Sequence, residues 1–458
     1  MKKRILLTLV TVMMVAMASA QETNERKNIS LTEAERMTVT KNSGFAIRLF
    51  KEARKQNGST DMILSPLSIT YALGMLNNGA TGETQQQINN VLGFGEAGAE
   101  GINALCRKLL TESKDLDKLT KVAIANTVFV NSGLGCVLKP DFIKKANDYY
   151  DASPENRDFF DGVTRDVINQ WAADHTEQMI KEILTKDEFN TLALSYLLNA
   201  IYFKGTWAYE FDKAQTKEEP FDGGDILPMM HQEGVFTYSD QGSYQEVWLP
   251  YGNGAFEMVV MLPSKDKTID DVLSDLEHYL NGDYGRTADD NIPHLVDLKL
   301  PRIETETSVR LDKIMSDLGM PRAFNPKTAE FGEFCYLPEG SNAYIGLMKQ
   351  VAKIKLDEEG TEAAAVTIIG MEATSIPSEP KQAVFHANRP FLYLIREKST
   401  GVIFFIGQYM GKGVTATLAS PRNTNVSNSC LYNLQGCKAE YPQRGRIYIR
   451  DGRKFVVK

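Results

Sequence analysis

The chain has 458 residues, is 43% hydrophobic and 24% charged, and carries a formal net charge of −8. That composition belongs to an ordinary globular protein with room for a large core, and the acidic balance argues against nucleic acid as the main partner. Five cysteines, Cys106, Cys136, Cys335, Cys430 and Cys437, are too few and too scattered for a disulfide framework, and none sits at metal-ligand spacing.

The first twenty residues read as a removable export signal. Lys2, Lys3 and Arg4 precede a mostly apolar run from Ile5 to Ala18, and Ala18-Ser19-Ala20 offers small residues before Gln21. The run falls below the roughly 17 to 25 residues needed to span a bilayer. No cysteine follows the cut, which argues against a lipid anchor. Residues 21–37 form an N-terminal extension. Helical spacing then appears around Gly44 to Arg54, from Pro66 to Asn77 and from Glu83 to Leu92, the last ended by glycines. Val163 to Leu184 predicts a further amphipathic helix with Val167, Ile168, Trp171, Ile180 and Ile183 on its apolar positions.

From Leu192 onward short branched and aromatic runs dominate: Ala200 to Phe203, Tyr244 to Leu249, Ala255 to Leu262 and Val296 to Leu300. Phe391 to Ile395 and Val402 to Ile406 flank a turn containing Gly401 and predict a buried hairpin. Helices first and strands later predict an α+β fold. Thr415 to Asn428 reads as a linker rich in Ser, Thr and Asn. From Arg422 to the end, eight basic residues face two acids, which leaves about −14 on the rest of the chain. Arg446 to Arg450 and Phe455 to Lys458 flank Asp451-Gly452, a hairpin signal, so residues 429–458 read as a small separate β module. Cys430 and Cys437 could bridge in an oxidising compartment, though spacing alone does not establish it, and an odd count leaves at least one thiol unpaired.

The segment from Glu358 to Gln382 stands apart. It lies between the strand-like Val351 to Leu356 and the stretch leading to Phe391, yet it exceeds the roughly 12 to 15 residues beyond which structureless loops are uncommon. Read with period two, Thr361, Ala363, Ala365, Thr367, Ile369, Met371 and Ala373 share one face, and that face has no charge. Both charges, Glu362 and Glu372, fall on the other. Each hydrogen bond gained by pairing such a strand contributes about 1 kcal/mol and each larger buried side chain roughly 1.5 to 3. Ordering the backbone costs about 1 to 2 kcal/mol per residue. The sum is close, so one unpaired charge on the inner face would reverse it.

Catalytic patterns are missing. Gly93 to Gly98, GFGEAG, matches a dinucleotide pattern but follows a helix rather than a strand, and there is no GxSxG, HExxH or Walker sequence. His175, His231, His278, His294 and His386 stand apart and read as surface or packing residues. Neither enzyme activity nor a metal or cofactor is expected.

Several motifs in order resemble the serpin family across almost all of Thr38 to Gln408. ILSPLSITYALGMLNNGATGETQQQI (Ile63 to Ile88), NAIYFKGTW (Asn199 to Trp207) followed by Phe211, PMMHQEGVF, VWLPYGNGAFEMVVMLP, LKLPRIETETSVRLDKIMSDLGM, KIKLDEEGTEAAAVT and FHANRPFLYLIREKSTGVIFFIGQ carry the likeness. It implies a multi-helix domain over residues 38–414 with a large central mixed β-sheet, further sheets and an exposed reactive-centre loop at about 358–382. It also implies a monomeric trap, in which a peptidase attacks the loop, forms an acyl-enzyme and is dragged along as the severed loop inserts into the sheet. A serpin fold used for binding or chaperoning without inhibition is the alternative.

By this resemblance Glu358, Glu359, Gly360, Thr361, Glu362, Ala363, Ala364 and Ala365 form the hinge. The family spacing from Glu358 puts the scissile bond at Thr374–Ser375, with Met371–Glu372 the next candidate. Such residues suit elastase-like or subtilisin-like serine peptidases better than trypsin-like ones, and papain-like cysteine peptidases are a further target class. Ser65, Ser68 and Asn199 match the polar shutter where the sheet parts, and Trp207 matches the breach where the loop first enters. Gln350 stands where the family commonly has a histidine bonded to the shutter asparagine, and can still donate and accept. Gln178-Met179 replaces the family's Gly-Lys, and the usual closing proline after Gly407 is missing. The tail from Ser429 is similar to C-terminal sorting modules of exported Bacteroidota-type proteins, which implies an extracellular or outer-surface destination.

Overall fold

The computed structural model describes residues 24–58, 60–280, 292–361, 380–411, 416–418, 432–433, 447–450 and 453–456. Eight α-helices are present among them: α1 Glu33–Asn57, α2 Pro66–Asn77, α3 Gly82–Leu92, α4 Gly98–Glu112, α5 Pro140–Tyr150, α6 Thr164–His175, α7 Ile269–Leu280 and α8 Asp312–Asp317. The fold is α+β. Helix α2 is buried on every side, and Pro66 at its start and Ser65 as its N-cap fix where it begins. It lies against both large sheets and against α3, α4 and α5, so its polar residues must find partners inside the protein.

The central sheet contains β1 Thr120–Asn131, β2 Glu155–Arg157, β3 Ser195–Thr206, β4 Ile303–Arg310, β5 Leu347–Asp357, β6 Gly360–Thr361 and β7 Ala416–Leu418. Its order is β7-β4-β5-β6-β3-β1-β2, with β5 also paired directly to β3. That direct pairing is parallel, from Leu347 opposite Tyr196 to Lys353 opposite Tyr202. The other large sheet includes Phe391–Glu397 and Ile403–Tyr409, an antiparallel hairpin as expected, with Gly401 in the left-handed region at φ 76°. One edge of this sheet is Lys381–His386, parallel to Ile292–Pro301. A main hydrophobic core fills the space around α2. A smaller one, with Phe129, Phe159, Ile168 and Tyr196, lies where α6 meets β1.

Three differences from the sequence reading have clear local causes. Helix α6 ends at His175 rather than near Leu184, because Glu177 and Gln178 turn left-handed at φ 49° and 66°. Ile180 and Ile183 are still buried in the smaller core, held there by Asn169, whose amide accepts from the Ile183 and Leu184 backbone N–H groups at 3.0 and 2.9 Å. The first helix starts at Glu33, inside the segment read as an extension, where Thr32 and Glu35 make a reciprocal capping box. Ile29 and Leu31 ahead of it are buried in the main core. Ala416–Leu418, inside the segment read as a linker, forms β7 and pairs in parallel with Thr307–Val309 of β4.

The chain divides into two compact units, 1–418 and 419–458. In the second, Tyr432–Asn433, Ile447–Arg450 and Arg453–Val456 form an antiparallel three-stranded sheet, with Arg450 opposite Arg453 across the expected turn. Within the first unit, Gly407 packs so closely on Tyr393 that an added Cβ would lie 2.2 Å from the ring. Because that tyrosine is fully buried, Gly407→Ala should destabilise the protein by about 1–3 kcal/mol, read as a lower urea midpoint at unchanged slope.

Candidate functional site

The site is the seam between β3 and β5. From Leu347–Tyr196 to Lys353–Tyr202 the two strands pair with each other; beyond that the short strand β6 stands between them. Asp357 pairs with Gly360 and Leu356 with Thr361, while Gly360 faces Thr206 and Thr361 faces Gly205 on β3. The chain therefore reverses over Glu358 and Glu359 and re-enters the sheet. Only glycine suits position 360: its φ is 141°, and a Cβ there would lie 2.2 Å from the Gly205 carbonyl oxygen. Thr361 is fully buried, its hydroxyl 2.9 Å from Tyr251 Oη. This is the residue at which the charge-free face of the sequence begins.

The reversal is anchored on both sides. Glu358 is 1% exposed, and its carboxylate accepts from Arg302 Nη2 at 2.6 Å, Arg302 Nε at 3.0 Å and the Thr216 hydroxyl at 2.5 Å. Burial pushes this carboxyl up, but the Arg302 and Thr216 hydrogen bonds outweigh it and hold it below the usual range. Glu359 pairs with Lys213, and the Glu358 and Glu359 carbonyls accept from Phe211 N and Trp207 N, each at 2.9 Å. Trp207 is stacked on Tyr251 with centroids 4.4 Å apart, and its indole N–H donates to the Asp357 carbonyl at 3.0 Å. Trp207 is thus both a core aromatic and a direct contact of the turn.

At the closed part of the seam a polar cluster lies inside the core. Gln350 and Asn199 are opposite each other on β5 and β3, and Gln350 Nε2 donates to Asn199 Oδ1 at 2.6 Å. The same amide clasps the start of α2, accepting from Ser65 N at 2.9 Å and donating to Ser65 O at 3.0 Å. Asn199 Nδ2 donates to the Ser68 hydroxyl and, at 2.6 Å, to Asn126 Oδ1 on β1. Ser65, Ser68, Asn199 and Gln350 are all at most 1% exposed. Three strands and one helix are joined through amides and hydroxyls alone, so the cluster separates without stranding a charge.

The structure brings Ser65, Ser68, Asn199 and Gln350 into one cluster and Trp207, Glu358, Glu359, Gly360 and Thr361 into another. Glu362, Ala363, Ala364, Ala365, Met371, Glu372, Thr374 and Ser375 lie outside the described residues. Asn126, Thr216, Tyr251 and Arg302 were not singled out from the sequence. Arg302 carried the strongest hint, a cation directly after Pro301 at the end of a strand-like run.

Comparison with known proteins agrees with this geometry. A family model described as Serpin (serine protease inhibitor) matches residues 40–411. Serpin B6 of Macaca fascicularis is 32% identical over 379 residues, covering 80% of this chain and 97% of that protein. Antithrombin-III of Mus musculus is 30% identical over 404 residues, covering 85% of each. Among solved structures, the thermophilic serpin tengpin in its native state aligns with a TM-score of 0.72 at 26% identity, over 85% of this chain and 97% of that one.

Two measurements test the site. Gln350→Ala leaves Ser65 N, Ser65 O and Asn199 Oδ1 without the partners described above and should cost about 2–4 kcal/mol in urea unfolding; Gln350→His, which can still donate to Asn199, should recover part of that loss. The Glu358 carboxyl has a lowered folded-state pKa, so its contribution is complete above the unfolded value of about 4.3 and is lost as pH falls through the lower folded value. Acidification below about pH 4 should therefore red-shift the fluorescence component that Trp207→Phe removes, and Glu358→Gln should abolish that pH-dependent step.

Proposed function

This chain belongs to the serpin family, and we propose that it is an exported suicide inhibitor of serine endopeptidases that uses the 358–382 segment as bait. The observation that carries this reading is β6: the first residues of the bait already pair as a strand between β5 and β3. Further entry needs only that the seam below it part and that the incoming residues tolerate burial. The first condition meets a parallel ladder of seven residue pairs and the uncharged Gln350–Asn199 link. The second is met by the sequence, since Ala363 and Ala365 follow buried Thr361 at two-residue spacing and carry no charge.

The order of events follows from these parts. A peptidase serine attacks a bait carbonyl, at Thr374–Ser375 or else Met371–Glu372, and the cut leaves the acyl-enzyme on the upstream arm. Released from its downstream tether, that arm propagates β6 along the seam as a new strand antiparallel to both neighbours, exchanging the direct β3–β5 pairing for two ladders. The bound peptidase is carried towards the opposite end of the sheet and distorted before water can complete deacylation. The proposed scissile residues favour elastase-like or subtilisin-like enzymes, with cysteine peptidases as a further class. The leader-like residues 1–20 support export, and the module at 429–458 supports sorting to the outer surface.

Incubation with elastase or subtilisin should give a band of summed mass that survives denaturing electrophoresis, with a released C-terminal fragment beginning at Ser375 or Glu372. Cleaved protein should melt well above the intact form. Nicking by every peptidase tried, with no covalent band and no rise in melting temperature, would establish a non-inhibitory serpin instead. Ala365→Arg places a charge on the inner face and should lower the yield of complex relative to cleavage on the order of 100-fold.

A further inference from the structure

A second pair of reactive groups lies away from the bait. Cys136 and Cys335 are 199 positions apart in sequence, yet their Sγ atoms stand 3.0 Å from each other, with both residues buried. The backbone holds them there independently of the sulfurs. Val137–Leu138 pairs antiparallel with Cys335–Tyr336, placing Cys335 opposite Leu138. Lys139 N donates to the Phe334 carbonyl at 3.0 Å, and Cys136 N donates to the Asn131 carbonyl at 3.2 Å. Phe334 is in turn seated against Gly79, where an added Cβ would lie 2.7 Å from its own.

We propose that Cys136 and Cys335 are a disulfide site, closed by a disulfide donor while the chain folds. The sulfurs need about 1 Å of combined movement to reach covalent distance. One cysteine thiolate attacks a sulfur of the donor and expels the first donor thiolate. The second cysteine thiolate then attacks the mixed disulfide and expels the other. Two electrons pass to the donor, and the two protons given up by the cysteines end on the two donor thiols. The native fold is a poor place to begin this exchange. Donation of the Cys136 thiol to the Cys335 sulfur and burial both push the Cys136 thiol up, keeping thiolate scarce. Closure therefore belongs to folding, and the finished bond is shielded from reductant by the same burial. Cys106 is also buried but has no sulfur partner in the fold described, so it stays a thiol.

The position gives the bond a mechanical role. Cys136 follows the end of β1 at Asn131, and Cys335 precedes the start of β5 at Leu347. Both lie at the strand ends remote from β6, where Leu347 meets Tyr196. A bond there ties the run-out of one half of the sheet to the lead-in of the other. It does not depend on the inhibitory reading, since the test reads thiols rather than peptidase complexes.

The full chain is refolded from denaturant in a glutathione and glutathione disulfide buffer, alkylated in denaturant and mapped by mass spectrometry. The same map is made on chain exported to a bacterial periplasm and never unfolded in vitro. A linked peptide pair containing Cys136 and Cys335, with Cys106 alkylated, is expected in each. The oxidised protein should melt roughly 5 °C above protein refolded in reductant, a difference that the double variant Cys136→Ala/Cys335→Ala should lack. Recovery of Cys136 and Cys335 as alkylated thiols in the exported protein, or linked to Cys430 or Cys437, would overturn the assignment. A bond that leaves the melting temperature unchanged would overturn its role as a restraint.

Discussion

The structure is organised around one seam, the parallel contact of Ser195–Thr206 with Leu347–Asp357. Seven residue pairs hold it closed at one end, and two residues of the chain's own return path hold it open at the other. The closed end also holds one buried charge, Lys349, which is 3% exposed and paired with Glu188 at 2.7 Å. Among the described residues, backbone hydrogen bonds and the amide of Gln350 cross it, each of modest net strength because water can replace it. A contact made this way is strong as a set and replaceable one bond at a time.

Around the seam, rigidity is distributed unevenly. Helix α2 is buried throughout and carries Ser65 and Ser68 to the closed end, so the polar cluster has a fixed platform. At the open end, the strong electrostatic contacts surround the turn rather than the strands, with Arg302 and Thr216 on Glu358 and Lys213 on Glu359. On the proposed mechanism, charge fixes where the bait enters, while the neutral Gln350–Asn199 link lies in its path. Low-dielectric surroundings make this division physically sensible: ion pairs are costly to rearrange once buried, whereas amides exchange partners readily.

Much of this was legible in the sequence, and the parts that were not share a cause. The proposed bait stands out in the sequence through two-residue alternation and small side chains, and Thr361 lies buried on the face that alternation assigns. The hairpin at Gly401 and the pairing of Arg450 with Arg453 followed from local chemistry. The polar cluster was found only through family likeness, since serines and asparagines in apolar runs do not reveal their partners. Arg302 with Glu358, Tyr251 with Thr361 and Cys136 with Cys335 join residues 56, 110 and 199 positions apart, and no local pattern encodes such meetings. The overlong reading of α6 came from apolar spacing that continues past His175, where two left-handed residues break the helix but return Ile180 and Ile183 to the same core. The Thr32 and Glu35 capping signal was present in the sequence and marks a helix start that apolar spacing alone placed too late.

The short strand Ala416–Leu418 has a consequence for life in a crowded solution. A sheet that accepts one more strand, as proposed for this one, risks accepting it from a neighbour, and an outermost strand with unused amides is the usual template for such mispairing. Here the chain lays its own continuation along Thr307–Val309. Those amides are spoken for by the same molecule, which on the proposed mechanism leaves the gap beside Thr361, where the chain itself already pairs, as the place for a further strand.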